Sequence, residues 1–127
     1  MSRPSDSVLI PSYNHARFMP ATLQSVFAQT FTDYEVVVVD DGSCDGSVEL
    51  LRSYEERIRL FTQPNRGTYP TLNRCIAESH GRYLAILNSD DLWAPTKLEK
   101  QVAVLETQPA VGLVHTDGRF IDAEATC

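Results

Sequence analysis

The chain has 127 residues, 43% hydrophobic and 22% charged, with a formal net charge of -6. Such a length allows one domain with a real core, and the composition is that of an ordinary globular protein, which excludes a disordered chain. The acidic balance excludes a general nucleic-acid binder, and no apolar run approaches the roughly 20 residues that span a bilayer.

Residues 7–10 predict a first strand, ending at Pro11, which cannot continue a central ladder. Pro20 in a first helical turn, with Leu23, Val26 and Phe27 at helical spacing, predicts a helix to about Thr30. Residues 34–39 contain four consecutive valines, a run suited to a strand covered on both faces, as in a parallel sheet. Ser47 is placed to cap a second helix whose buried stripe includes Val48, Leu51 and Tyr54. Residues 58–62 predict a third strand, and Asn65-Arg66-Gly67 a loop. Pro70 then opens a helix with Leu72, Cys75 and Ile76 on one face, ended by Gly81 ahead of a fourth strand at 83–87. Pro95 and Thr96 open a helix carrying Leu98, Val102 and Leu105, which Pro109 closes, and residues 111–115 predict a fifth strand. Strand and helix alternating over the whole length imply an α/β fold with a mostly parallel sheet and right-handed crossovers. Residues 117–127 have no evident partner and read as a chain cut partway through a larger domain.

Two of these strands end in acidic clusters, Asp40-Asp41-Gly42-Ser43 and Asn88-Ser89-Asp90-Asp91. In an open α/β sheet the carboxyl edge is where ligands bind, in the crevice between strands whose connections leave in opposite directions. Carboxylates crowded there repel one another unless something positive joins them, and a divalent metal is the natural candidate. A carboxylate at a rigid strand end also suits the ring N–H donors of a nucleotide base.

Five motifs in order carry a family resemblance. They are Val8-Leu9-Ile10-Pro11-Ser12-Tyr13-Asn14, Ser25-Val26-Phe27-Ala28-Gln29-Thr30-Phe31, Val38-Val39-Asp40-Asp41-Gly42-Ser43, Asn65 with Gly67, and Leu87-Asn88-Ser89-Asp90-Asp91. Together they resemble family 2 glycosyltransferases of the GT-A fold, over essentially the whole chain. The resemblance implies a Rossmann-like three-layer α/β/α sandwich and a donor-binding domain over residues 1–127, with the acceptor half absent. It implies a nucleotide-sugar donor, usually UDP-linked, a divalent metal (Mn or Mg), and transfer with inversion to a glycan, lipid or protein acceptor. By resemblance Asp41 accepts a hydrogen bond from uracil with Asp40 beside it, while Pro11, Ser12 and Tyr13 line base and ribose. Asn14, Gly67 and Ser89 belong to the same donor-binding set. Asp90 and Asp91 correspond to the metal-binding element, Asp91 in direct contact. Asn88 stands where an aspartate is common; it can still hydrogen-bond ribose but supplies one negative charge fewer.

No position matches the family's catalytic base, so the chain alone is expected to be inactive; Asp117 and Asp122 sit in no matching motif. His15, Arg17, Arg66 and Arg74 could meet phosphate or simply be solvated, His80 suits a helix end, His115 a strand core, and Trp93 packing beneath the metal loop. Cys44, Cys75 and Cys127 have no metal-ligand spacing and read as reduced thiols. The start Met1-Ser2-Arg3-Pro4 lacks the apolar core of a signal peptide, which predicts a cytoplasmic location, at a membrane face in a full-length protein. An absent acceptor half would leave apolar surface exposed, with a homodimer as one consequence. A non-catalytic nucleotide-binding or interaction module is the alternative reading. A dinucleotide-binding oxidoreductase domain is disfavoured, because no Gly-x-Gly-x-x-Gly follows the first strand.

Overall fold

A computed structural model describes residues 3–122. Four parallel strands, β1 (Asp6–Ser12), β2 (Tyr34–Asp40), β3 (Arg59–Thr62) and β4 (Tyr83–Ile86), form one sheet in the order β3-β2-β1-β4. Helices α1 (Met19–Phe27), α2 (Ser47–Arg52), α3 (Thr68–Glu78) and α4 (Lys97–Thr107) alternate with them. Ser12 lies opposite Asp40 and Leu9 opposite Ile86, so the carboxyl ends of the two central strands finish together and β4 finishes three residues earlier. The chain leaves β1 toward β2 and returns from β3 to the far side of β1, which makes the carboxyl edge of β1 and β4 the switch point.

The period-two alternation of β1 and β2 divides the core. Val8, Ile10, Val36 and Val38 pack against Met19, Leu23 and Val26 of α1, Leu51 of α2 and Leu98 of α4. Leu9, Val37 and Val39 pack on the opposite face against Cys75, with Leu72 and Phe61 beside it. Three layers result, and both faces of β2 are dry, which is why its valines need no polar alternation. Among the described residues no helix is long and apolar enough to cross a membrane.

Several boundaries differ from expectation for physical reasons. β1 runs through Pro11 to Ser12. Leu9 O accepts from Leu87 N and Ser12 O from Asp41 N, so alternate residues face β4 and β2, and Pro11 faces the β4 side, where pairing has already ended. Its missing N–H therefore costs no ladder bond. The second helix begins with Ser47, but its N-cap is Gly46 (φ 87°), and Asp45 before it accepts from the Ser47 backbone N–H. The expected fifth strand is absent: residues 111–115 form no ladder, Gly112 interrupts the run, and Leu113 is 78% exposed. His115 is accordingly exposed rather than a core residue. Ile76, expected on the buried face of α3, is 40% exposed because the packed stripe is Thr71 and Cys75. α3 ends at Glu78 with Ser79 as cap, and Gly81 is needed for another reason: a Cβ there would meet Ser7 N at 2.5 Å. The thiol at Cys127 lies outside the described residues.

Candidate functional site

A cavity of about 520 Å³ opens at the carboxyl edge of the sheet. Pro11, Ser12 and Tyr13 enter it from the end of β1, Asp41 from the end of β2, Asn65 and Gly67 from the loop before α3. Asn88, Ser89 and Asp90 close the opposite wall from the loop after β4. Eight of the expected donor-site residues thus meet in one place, although they come from four separate connections. Tyr13 is half exposed at the rim. Ser12 is wholly buried, and its Oγ is the only buried side-chain polar atom without a hydrogen-bond partner among the described residues. A buried hydroxyl left unpaired carries a desolvation cost that a ligand could relieve.

Two expected residues do not line the cavity. Asp40 is fully buried, and its carboxylate accepts from Ser43 N at 3.1 Å and from Ser43 Oγ at 2.6 Å, closing the turn after β2. Asn14, at φ 53°, accepts from Cys44 N through Oδ1 at 2.8 Å and donates its own N–H to Ser43 Oγ at 2.9 Å. Asn14 thus braces the loop after β1 against the loop after β2, whose turn Asp40 closes from within. That is the turn chemistry that Asp, Asn and Ser supply at such corners.

Asp41, 3% exposed, is bound on all sides by one loop. Its Oδ1 accepts from Gln63 Nε2 at 3.0 Å and Arg66 N at 2.7 Å, and its Oδ2 from Asn65 Nδ2 at 3.2 Å and Gly67 N at 3.0 Å. Burial pushes the Asp41 carboxyl up, but the hydrogen bonds from Gln63, Arg66 and Gly67 together outweigh it and hold it below its ordinary 3.8. Gly67, the N-cap of α3, has no side chain of its own to cap with, so the Asp41 carboxylate serves the amino end of that helix from a neighbouring strand. Gly42, at φ 78°, lets the loop pass close: a Cβ there would meet Asn65 N at 2.7 Å.

The acidic loop after β4 is hung from α1. Thr22 Oγ1 donates to Asp91 O at 2.8 Å, and Trp93 N donates to Ser25 Oγ at 3.2 Å. His15 reaches across the cavity mouth, its Nδ1 2.6 Å from Ser89 Oγ and its Nε2 3.8 Å from Asp90 Oδ2. Asn88 Nδ2 lies 3.4 Å from Asp91 Oδ2. Asp90 faces the cavity that holds Ser12, whereas Asp91 faces a neighbouring cavity of about 680 Å³ that also holds Trp93, Lys97 and Asp117. Asp122 lines a third cavity, shared with Asp90 and Asp91. Trp93 packs against the core with Lys97 Nζ 4.7 Å from its ring centroid, in keeping with a structural tryptophan.

Among the described residues no three acidic, histidine or cysteine side chains converge as a ready-made metal site. Asp90 and Asp91, neighbours in the chain, are nonetheless both exposed, and their carboxylates are the oxygen donors that hard cations prefer. Two such donors suit a divalent ion only where phosphate and water would complete its shell.

Sequence reasoning did not find Thr68, Thr71 or Gln63. Thr68 and Thr71 line the cavity from the first turn of α3, and Gln63 grips Asp41. Their only signal is being polar residues around a loop and helix start. Arg74, considered for phosphate, instead donates to Thr62 O at 3.0 Å and to Gln63 Oε1 at 3.3 Å. His80 donates its backbone N–H to Glu35 and sits past the end of α3 at the opposite edge of the sheet.

The family model described as glycosyl transferase family 2 matches residues 7–124. An uncharacterised glycosyltransferase of Nostoc sp. is 39% identical over 113 residues, 86% of this chain and 35% of that protein. Among solved structures, TarS of S. aureus in complex with UDP-GlcNAc is similar with a TM-score of 0.76 at 26% identity, covering 83% of this chain and 32% of that one. The mannosyltransferase PcManGT from Pyrobaculum calidifontis, in complex with GDP-Man and Mn²⁺, has a TM-score of 0.76 at 30% identity, covering 88% of this chain and 35% of that one. This chain therefore spans about a third of the length of these relatives. With the parallel sheet of a GT-A fold and a family match over nearly its whole length, the chain belongs to glycosyl transferase family 2.

Proposed function

We propose that this chain holds the activated donor of an inverting glycosyltransferase, a nucleotide-sugar, UDP-linked, together with a divalent metal. One observation carries the reading: the buried, unpartnered Ser12 Oγ in a cavity walled by Pro11, Tyr13, Gly67 and the acidic loop. A hydroxyl so placed can donate to or accept from a ribose or base that fills the space. Tyr13 offers an aromatic wall at the rim. Ser89 and Asn88 provide polar groups on the opposite wall. Asp90 and Asp91 would hold Mn²⁺ or Mg²⁺, which when bound offsets negative charge gathering on the leaving diphosphate. His15 keeps the Ser89 and Asp90 side of the cleft in register with β1. The general base that deprotonates the acceptor hydroxyl is assigned to none of the described residues. The binding partners of TarS and PcManGT, UDP-GlcNAc and GDP-Man, support a nucleotide-sugar without choosing its base or sugar.

Calorimetric titration of the chain with UDP, with and without Mn²⁺, tests the proposal. Binding should strengthen with the metal, and the metal dependence should vanish in the Asp90→Asn/Asp91→Asn double variant. Ser12→Ala should weaken binding by roughly two- to tenfold, the worth of one neutral hydrogen bond of about 0.5–1.5 kcal/mol. A folded chain that binds neither UDP nor GDP would refute it.

A further inference from the structure

We propose that the cavity on the far side of the acidic loop receives the acceptor of the transfer, and that this acceptor carries a phosphate ester. The proposal rests on the donor-pocket reading above and names the class of that reaction's second substrate. Asn88 lines both this cavity, of about 680 Å³, and the one that holds Ser12, while Asp91 faces the former and Asp90 the latter. Residues 88–91 are thus a partition, and a substrate on one side lies a single loop away from a donor on the other.

The walls select the ligand. In a chain of net charge -6, Lys97, Lys100 and Arg119 all line this cavity, whereas no lysine or arginine among the described residues lines the Ser12 cavity. Lys97 and Lys100 are three residues apart on α4 and so share one of its faces. Lys97 Nζ donates to Gln101 Oε1 at 2.7 Å and rests 4.7 Å from the Trp93 ring centroid, which holds the ammonium in place with two N–H groups still to give. Asp91 and Asp117 line the same cavity, yet among the described residues none of the three cations forms an ion pair. Three positive groups without an internal anion suit a phosphate ester, whose oxygens accept charge-assisted hydrogen bonds from Lys and Arg. Between the cations the lining is apolar: Ile86, Leu92 and Ile121 are 53%, 39% and 41% exposed. Such surface can cover the carbon skeleton that bears the phosphate.

Trp93 is the chain's single tryptophan and lines this cavity but not the Ser12 one, so its fluorescence reports on the site. The chain is titrated with glycerol 3-phosphate, with citronellyl phosphate and with glycerol, in EDTA at constant ionic strength; UDP with Mn²⁺ is titrated separately by calorimetry. The expected result is a saturable change with at least one phosphate and none with glycerol. Lys100→Gln and Arg119→Gln, both at exposed positions, should each weaken phosphate binding by roughly three- to tenfold, the worth of an exposed charge-assisted hydrogen bond, and Lys100→Arg should restore it. Neither Gln variant should alter UDP binding with Mn²⁺. Tighter binding of citronellyl phosphate that is lost in Ile121→Ser assigns a lipid-borne phosphate, and equal binding of the two assigns a soluble phosphate ester; either supports the proposal. No saturable change with either phosphate, or binding that both Gln variants leave unaltered, overturns it while the donor reading stands on its UDP titration. Equal weakening of UDP and phosphate by the variants also overturns it, because the cations would then serve the donor diphosphate. A chain that binds the phosphates but neither UDP nor GDP refutes the donor reading, and the acceptor assignment falls with it.

Discussion

Gly42→Ala against Gly46→Ala separates two kinds of glycine requirement four residues apart. Both residues have left-handed backbones, at φ 78° and φ 87°. A Cβ on Gly46 meets nothing within 4 Å, so its substitution should cost only the left-handed penalty of an L-residue, roughly 1–2 kcal/mol. A Cβ on Gly42 meets Asn65 N at 2.7 Å and Asn65 Cα at 3.3 Å. Those contacts involve backbone that is itself tied to Asp41, so relief means shifting the loop. Overpacking of that kind typically adds about 1–3 kcal/mol. Gly42→Ala should therefore destabilise by roughly 2–5 kcal/mol in total, and Gly46→Ala by less than half of that. Urea unfolding of both variants gives the difference from the midpoints, provided the slopes agree. Gly42→Ala should also weaken nucleotide binding, because the displaced loop carries Asn65 and Gly67, whereas Gly46→Ala should leave binding unchanged. Equal destabilisation by the two substitutions would show that the approach of Asn65 to Gly42 is not tight, and the account of the loop as a gripped element would be wrong.

Acid should act on the same corner. Asp41 and Asp45 have folded carboxyls held below 3.8 by their hydrogen bonds against the upward push of burial, and Glu35 likewise lies below its ordinary 4.5. Each contributes stability that is complete above the unfolded value and is lost as pH falls through the folded one, so the urea midpoint should drop on going from pH 5 toward pH 2.5, less steeply in Asp41→Asn; a parallel slope would contradict the assigned bonds. Asp6 has the opposite sign: burial at the start of β1 raises its pKa, reinforced by Asp33 and Glu106 and opposed by the Ser5 hydroxyl. Its ionised form is therefore a cost, and Asp6→Asn should stabilise the chain at pH 7, a gain that fades below about pH 3.8; destabilisation at pH 7 would refute this. Burial pushes the Cys75 thiol up to about 11, so iodoacetamide at pH 8 should alkylate exposed Cys44 and spare Cys75 in the folded chain, and peptide mass spectrometry showing both modified at similar rates would count against the packing of α3.

The layered sheet was legible because its signals are local and strong. Four valines in a row can only be stable where both faces are dry, and acidic turns directly after apolar runs mark strand ends. The errors came where a tertiary partner decides. Pro11 reads as a strand terminator, yet on a strand whose β4 pairing has ended it faces no acceptor. Residues 111–115 have strand composition, but a strand exists only when paired, and the described structure offers that run no ladder. Ile76 has the right spacing for the core, but α3 is turned so that Thr71 and Cys75 fill its contact with β1 and β2.

The site was legible as a place but not as a division of labour. Asp40, Asp41, Asp90 and Asp91 look alike in a sequence, four carboxylates past two strands. What separates them is how many donors reach each one. Asp40 has its turn closed by Ser43 and faces away from the cavity, and Asp41 has all its lone pairs taken by a neighbouring loop. Asp90 and Asp91 are exposed, with His15 beside the first and Asn88 beside the second. Counting donors thus divides a uniform acidic motif into a buried, hydrogen-bonded pair and an exposed pair. Such a count needs the path of residues 63–67, which approach β2 through a crossover and a strand, a separation of more than 20 residues that no motif around Asp41 encodes.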